Sequence, residues 1–342
     1  MSSTTQSTLG TTIRSQNASI SQSMTSFSSR TADEALLQMV RALRDCGYQS
    51  TTVTPATHER VNTRSGSEWA ADLRDVFGWS RPFRSEILPP NIWEAMRRAD
   101  IALPHGEGWR SSLRVSSLSG HLFLHSAYPT GEADAVFFGP DTYRFANAIQ
   151  SHLTSHAAPI RRAVDIGCGA GPGAILCAVE RPDATVFAVD INEAALRLTR
   201  LNATLAGASN VEARHSDLLT NIAGDFDLIV ANPPYLVDPA ERAYRHGGGP
   251  LGAGLSLAIV DAALGRFAPQ GTLLLYTGAA IMKGVDPFRE AVAQRLCAAD
   301  VSWAYREVDP DVFGEELSDG AYQHADRIAA VVLTVSRSTA QS

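Results

Sequence analysis

The apolar and polar positions divide the chain into three stretches. Residues 1–30 show almost no aliphatic periodicity, and 16 of them are Ser or Thr. Burial cannot offset the entropy of ordering such a segment, so a disordered tail is expected. It lacks the apolar core of a secretory signal. It also lacks acids, as an organellar transit peptide does, but Arg14 and Arg30 are its only cations, and a plain tail is the simpler reading. From residue 31 the texture changes. Ala35, Leu36, Met39, Val40 and Leu43 recur at helical spacing behind Asp33 and Glu34, and Gly47 stands where a helix would end. Helical patterns over 67–79 and 91–101 follow, separated by Pro89-Pro90. Residues 112–128 alternate around Ser119-Gly120, which predicts a hairpin. Residues 31–130 are therefore expected to form a small, mostly helical recognition domain carrying that hairpin.

Beyond about residue 135 strands and helices alternate, the pattern of a parallel sheet covered on both faces. Strands are predicted at 161–167, 185–191, 211–217, 226–234, 271–279, 301–309 and 327–335, with helices at 172–180, 192–207, 255–267 and 287–299. No helix separates the last two strands, so they must pair antiparallel. The expected domain spans 131–337.

Composition narrows the function. Hydrophobic residues at 44% and charged residues at 19% describe a globular chain. No apolar run approaches the roughly 20 residues needed to cross a bilayer, so a membrane partner is not expected. The net charge is -7, distributed as +2, 0 and -9 over residues 1–30, 31–130 and 131–342. No stretch is basic enough for a phosphate backbone, which disfavours nucleic acid as a partner. Cys46, Cys168, Cys177 and Cys297 form no C-x-x-C pair, and a reducing cytoplasm is the expected location. His121 and His125 lie four apart, but in a strand rather than on a helix, and no metal is predicted.

The chemistry concentrates at strand ends. AVDIGCGAGPGAI (163–175) runs from a strand through Gly167, Gly169 and Gly171 into a helix, where a doubly wound sheet holds nucleotides. A dinucleotide fingerprint would carry its third glycine at 172, where Pro172 stands, and this disfavours an NAD oxidoreductase. Asp190 ends the second strand, where a carboxylate accepts both ribose hydroxyls. Asp217 ends the third, where it can meet an adenine amine. DLIVANPPY (227–235) ends the fourth. There the Asn232 side-chain oxygen and the Pro233 carbonyl can each accept one N–H of a planar NH2 group, turning its lone pair toward an electrophile, and the Tyr235 ring can pack on a flat acceptor. Asn232, Pro233 and Tyr235 are the catalytic candidates.

The run VDIGCGAGPGA, the acids Asp190 and Asp217 and the NPPY strand resemble class I S-adenosylmethionine (SAM) methyltransferases over about residues 137–336. That resemblance implies a Rossmann-like α/β sheet of seven strands with an antiparallel last hairpin, and SAM as cofactor. It implies contact with the cofactor for Gly167, Gly169, Gly171, Asp190, Asp217 and Asn232, with Asp165 near its amino group. NPPY is similar to the signature of enzymes that methylate glutamine amides or exocyclic base amines, and HGGGPLGAGLSLAIVDAAL (246–264) resembles the HemK-like glutamine methyltransferases. The acidic Glu-Pro segment of that group is missing here. The resemblance implies N-methylation of a protein, peptide or small-molecule acceptor. Three other functions stay open: a SAM-consuming cyclase releasing methylthioadenosine, a nucleic-acid base methyltransferase, and a non-catalytic SAM-binding module. Residues 137–149 read either as a lid over the cofactor or as a helix start capped by Asp141. The late segment 309–317 is similar to part of the long final loop of methyltransferases of this type.

Overall fold

The structure, a computed structural model, describes residues 30–155, 158–242, 244–318 and 320–337. The expected tail lies outside these residues apart from Arg30. The first helix, α1 (30–45), turns Leu36, Met39, Val40 and Leu43 into the core. It ends as the sequence predicts: Gly47 takes φ +70°, its N–H reaches Arg44, and the Tyr48 N–H reaches Leu43. Next comes α2 (Pro55–Asn62), which the apolar pattern does not reveal because His58 is its only buried residue. The pattern over 67–79 yields only the short α3 (Leu73–Phe77), since Asp72 caps the Asp75 N–H and starts the helix late. Helix α4 (Pro90–Arg98) buries Ile92, Ala95 and Met96.

Two hairpins complete the N-terminal part. One, β1 (Ala102–His105) with β2 (Gly108–Ser111), escapes sequence reading because β1 is largely exposed and lacks an alternating face. The other is the predicted one, β3 (Leu113–Leu118) with β4 (His121–Ser126). Positive φ at both Ser119 and Gly120 gives it the turn whose twist suits a two-residue connection.

Helix α5 (Pro140–Ser155) leads into the main sheet. Its strands are β5 (Arg162–Ile166), β6 (Thr185–Asp190), β7 (Val211–His215), β8 (Phe226–Ala231), β9 (Phe267–Ile281), β10 (Val301–Asp309) and β11 (Arg327–Arg337). They lie in the order β10-β11-β9-β8-β5-β6-β7. All neighbours are parallel except β11, which runs antiparallel to both β9 and β10, as the helix-free final connection requires. Alternation decides the layering. Leu274 and Tyr276 of β9 face the core shared with α5, α6 (Pro172–Glu180), α7 (Glu193–Ala206) and the N-terminal part. Leu273 and Leu275 face the other core, under α8 (Gly254–Leu264) and α9 (Pro287–Leu296). The strand order reverses between β5 and β8, and a ligand crevice opens at such a point.

Asn202, on α7 and fully buried, joins the two parts of the chain. Its side-chain oxygen accepts the Leu124 N–H of β4 at 2.8 Å, and its amide donates to the Leu124 carbonyl at 3.0 Å and to the Ala170 carbonyl of the glycine turn at 2.8 Å. Asn202→Leu would leave these buried groups without partners, at a cost of about 2–4 kcal/mol. Urea unfolding should show that loss, and an unchanged midpoint would refute the linking role.

Candidate functional site

The strand ends β5, β6 and β8 and the turn after β7 converge on one cleft of about 230 Å³. Gly167 and Gly169 line it with φ +69° and +54°, conformations that a residue with a side chain rarely adopts. No atom lies within 4 Å of the Cβ either would carry, so the turn leaves space along the cleft. Gly171 serves packing instead. It caps α6 at φ +83°, a Cβ there would come within 2.9 Å of Thr199, and it is not part of the cleft wall.

The three acids differ sharply. Asp190 lines the cleft and ties two loops together. Its Oδ2 accepts the Gly169 N–H at 3.0 Å and its Oδ1 accepts the Asn192 N–H at 2.9 Å. A carboxylate offers about four lone-pair sites, so each oxygen keeps acceptor capacity. Burial raises the Asp190 pKa, and the backbone N–H groups oppose the rise. Asp217 stands two residues beyond the end of β7, exposed at the cleft edge. Asp165 is buried beneath the turn and off the cleft wall, its Oδ2 accepting the Ala174 N–H of α6 at 2.9 Å. Burial pushes its carboxyl up to about 7. Its geometry is that of a brace for the start of α6, which sequence spacing alone does not distinguish from a ligand contact. Cys168 also lines the cleft, and burial raises its pKa well above the usual thiol value, so it stays protonated and non-nucleophilic.

Asn232 and Pro233 lie at the mouth of β8, on the cleft wall. Among the described residues nothing hydrogen-bonds to the Asn232 amide or the Pro233 carbonyl. Tyr235 differs from expectation. Its ring borders the cleft but meets Phe313 edge-on at 5.8 Å, and its buried hydroxyl donates to Asp141 Oδ2 at 2.7 Å. The Tyr276 hydroxyl donates to Asp141 Oδ1 at 2.6 Å, and Arg144 bridges Asp141 and Asp309. Burial and the facing carboxylate raise the pKa of both tyrosines, so both remain donors. Asp141 is thus neither a helix cap nor simply a lid residue. It anchors the NPPY segment to α5 and β9, a role hidden from sequence because its partners lie 94 and 135 residues away.

The glycine-rich loop after NPPY folds back on it. Gly252 takes φ +75°, and a Cβ there would stand 2.1 Å from the Tyr235 carbonyl oxygen, so no side chain fits. The Arg242 guanidinium holds the Asp238 carboxyl down to about 2, and Arg245 pairs with Glu316 across the cleft edge. Pro55 of α2, Phe137 and Tyr244 also line the cleft, with the Phe137 and Tyr244 rings stacked at 6.3 Å. No helix among the described residues is long and apolar enough to cross a membrane, and no cluster of three or more His, Cys, Asp or Glu suited to a metal occurs among them.

A turn with open backbone, a carboxylate facing the cleft and a helix N-terminus together fit SAM, and the fold and site define a class I SAM-dependent methyltransferase. The methyltransferase small domain model matches residues 141–275. Over 245 residues the chain is 31% identical to a release factor glutamine methyltransferase of Neisseria gonorrhoeae, covering 67% of this chain and 81% of that protein. Its identity to a release factor glutamine methyltransferase of Deinococcus radiodurans is 29% over 235 residues, covering 66% of this chain and 76% of that one. A 4-amino-L-phenylalanine/4-methylamino-L-phenylalanine methyltransferase of Streptomyces pristinaespiralis is 33% identical over 205 residues, 56% of this chain and 66% of the relative. Matches to some further release factor glutamine methyltransferases span as little as 28% of those proteins. The chain belongs to the HemK-like group of class I SAM-dependent methyltransferases, and it is a SAM-dependent N-methyltransferase.

Proposed function

We propose that this enzyme methylates a planar NH2 group on a small acceptor of the amino-acid class. The observation that carries the proposal is the pair of unengaged acceptors, Asn232 Oδ1 and the Pro233 carbonyl, on a cleft wall beside the glycine turn. Bound SAM supplies an electron-poor sulfonium methyl. With SAM bound, Gly167 and Gly169 would lie along its methionine portion, Asp190 would accept its ribose hydroxyls and Asp217 would flank its adenine. Asn232 and Pro233 would each accept one N–H of the incoming amine, directing its lone pair at the methyl, so that the N–C bond forms as the S–C bond breaks, S-adenosylhomocysteine leaves and the methylated nitrogen releases one proton to solvent. Positioning of this kind supplies most of the rate, because an effective molarity replaces a chance encounter. The Asp141–Tyr235–Tyr276 cluster holds the NPPY backbone still while this happens.

The modest volume of the cleft, about 230 Å³ with Pro55, Phe137 and Tyr244 among its lining, supports a small acceptor over a glutamine on a folded partner. The likeness to the Streptomyces pristinaespiralis amino-acid methyltransferase supports the same choice. The purified enzyme should convert SAM to S-adenosylhomocysteine with 4-aminophenylalanine or a similar aromatic amino acid, read by mass spectrometry, and the acceptor should gain the mass of one CH2 unit per transfer. Methylation of an intact release factor but of no small amine would move the function to proteins. Methylthioadenosine formed from SAM alone would move it to cyclisation.

A further inference from the structure

Beside the cleft lies a second, smaller cavity of about 30 Å³, between α2, the β3–β4 hairpin and the segment before α5. Arg114 projects from β3 directly opposite His125 of β4 and lines this cavity. The residue is only 6% exposed. Its Nε has no hydrogen-bond partner, and no described residue forms an ion pair with its guanidinium. The titratable groups that face Arg114 are the hydroxyls of Tyr48, Tyr143 and Tyr128, which are neutral at neutral pH, and not carboxylates. Burial lowers its pKa to about 10, which still leaves it a cation at neutral pH. A buried cation without a counter-ion is costly to maintain, and proteins seldom keep one without use.

The other polar groups around the cavity are already ordered. His125 Nδ1 faces the Ser126 carbonyl at 3.1 Å and so must carry the proton, which makes Nε2 the acceptor of the Ser116 hydroxyl at 2.8 Å. His58 packs against the Tyr128 ring at 4.3 Å with the planes tilted by 46°, and burial with the nearby Arg114 charge lowers its pKa to about 4. Both imidazoles are therefore neutral, and Arg114 carries the only charge on the cavity wall at neutral pH. Pro55 and Phe137 line both cavities, so the Arg114 cavity adjoins the methyl-transfer cleft.

We propose that the Arg114 cavity binds the carboxylate of the methyl acceptor, so that the substrate carries an anionic group at one end and its NH2 at Asn232. A planar guanidinium fork matches a carboxylate with two parallel hydrogen bonds. This inference rests on the small-acceptor reading above, and it extends that reading to a second site on the substrate.

The test compares 4-aminophenylalanine with its methyl ester on the full chain, together with calorimetric titration of benzoate and of inorganic phosphate. Wild type should prefer the acid by about 100-fold or more in kcat/KM, the scale of a buried charge-assisted pair. Arg114→Met should abolish that preference by raising KM for the acid while leaving the ester unaffected. Arg114→Lys should recover part of it, because it keeps the charge without the fork. Benzoate should bind wild type and not Arg114→Met, and Asn232→Ala should retain benzoate binding. The Arg114→Met protein should melt no lower than wild type, since the substitution removes an uncompensated charge. Equal rates for acid and ester, or benzoate binding independent of Arg114, would overturn the proposal. Binding of phosphate but not benzoate would overturn it too, in favour of a site for free anions. If neither amine is methylated, the acceptor reading fails, while Arg114-dependent benzoate binding would still support a carboxylate site. Should the Met variant not fold, the acid-to-ester ratio of wild type decides alone.

Discussion

Asn232→Ala is expected to lower kcat by about 10²–10³-fold while changing the dissociation constant of SAM by less than about threefold. The magnitude follows from what the side chain is proposed to do. A planar NH2 nitrogen shares its lone pair with a ring or carbonyl and is a weak nucleophile, so transfer depends on holding the nitrogen pyramidal and in line with the sulfonium methyl. Removing one of two fixed acceptors lets the amine rotate, and a misplacement of about 1 Å costs roughly 10²-fold. Cofactor affinity should survive, because Asp190 and the glycine turn lie on β6 and β5 and owe nothing to the Asn232 amide. Single-turnover transfer from labelled SAM, with calorimetry for cofactor binding, separates the two quantities. Full activity in the variant would remove Asn232 from the acceptor clamp. A loss confined to SAM affinity would reassign it to the cofactor.

Periodicity carried the C-terminal part of the fold well. Helix α6 occupies the expected residues 172–180, and α7 and the strands β5 to β8 deviate from expectation mainly at their ends, because most of them carry clear apolar runs or stripes. The N-terminal part was less legible for a physical reason. Helix α2 buries a histidine instead of an apolar stripe, β1 is mostly exposed, and a cap at Asp72 rather than a hydrophobic pattern sets where α3 begins. The site divides the same way. The local motifs at Gly167, Gly169, Asp190 and Asn232 reached the cleft, since each is fixed by its own strand end. The fates of Asp165, Gly171 and Tyr235 depended on contacts that their own motifs do not reveal, from the next helix for Asp165 and from more distant elements for the other two. Ala174 took the Asp165 oxygen, Thr199 crowded Gly171, and Asp141 captured the Tyr235 hydroxyl. Arg114 gave no signal at all, because an arginine in an alternating strand reads as solvent-facing until the fold buries it.

Asp190→Ala should act on the opposite side of the reaction, weakening SAM binding by about 100-fold or more with a smaller effect on kcat at saturating cofactor. Two ribose hydroxyls donating to a carboxylate are each worth about 1.5–3 kcal/mol, and 1.4 kcal/mol is tenfold in affinity. The same carboxylate also accepts the Gly169 and Asn192 N–H groups, so its loss slackens the turn that lies along the methionine portion. Asp190→Asn separates these contributions. The single oxygen of the amide can still take a backbone N–H, but its NH2 must then face either the other N–H or a ribose hydroxyl, and the charge is gone. Its SAM affinity should fall between wild type and Asp190→Ala. Asp217→Ala, at an exposed position on the cleft edge, should cost less than either, because solvent competes for the adenine amine there. Calorimetric titration of SAM into the three variants gives the order directly. Weaker binding in Asp217→Ala than in Asp190→Ala would mean that the adenine end, rather than the ribose, provides the main grip on the cofactor.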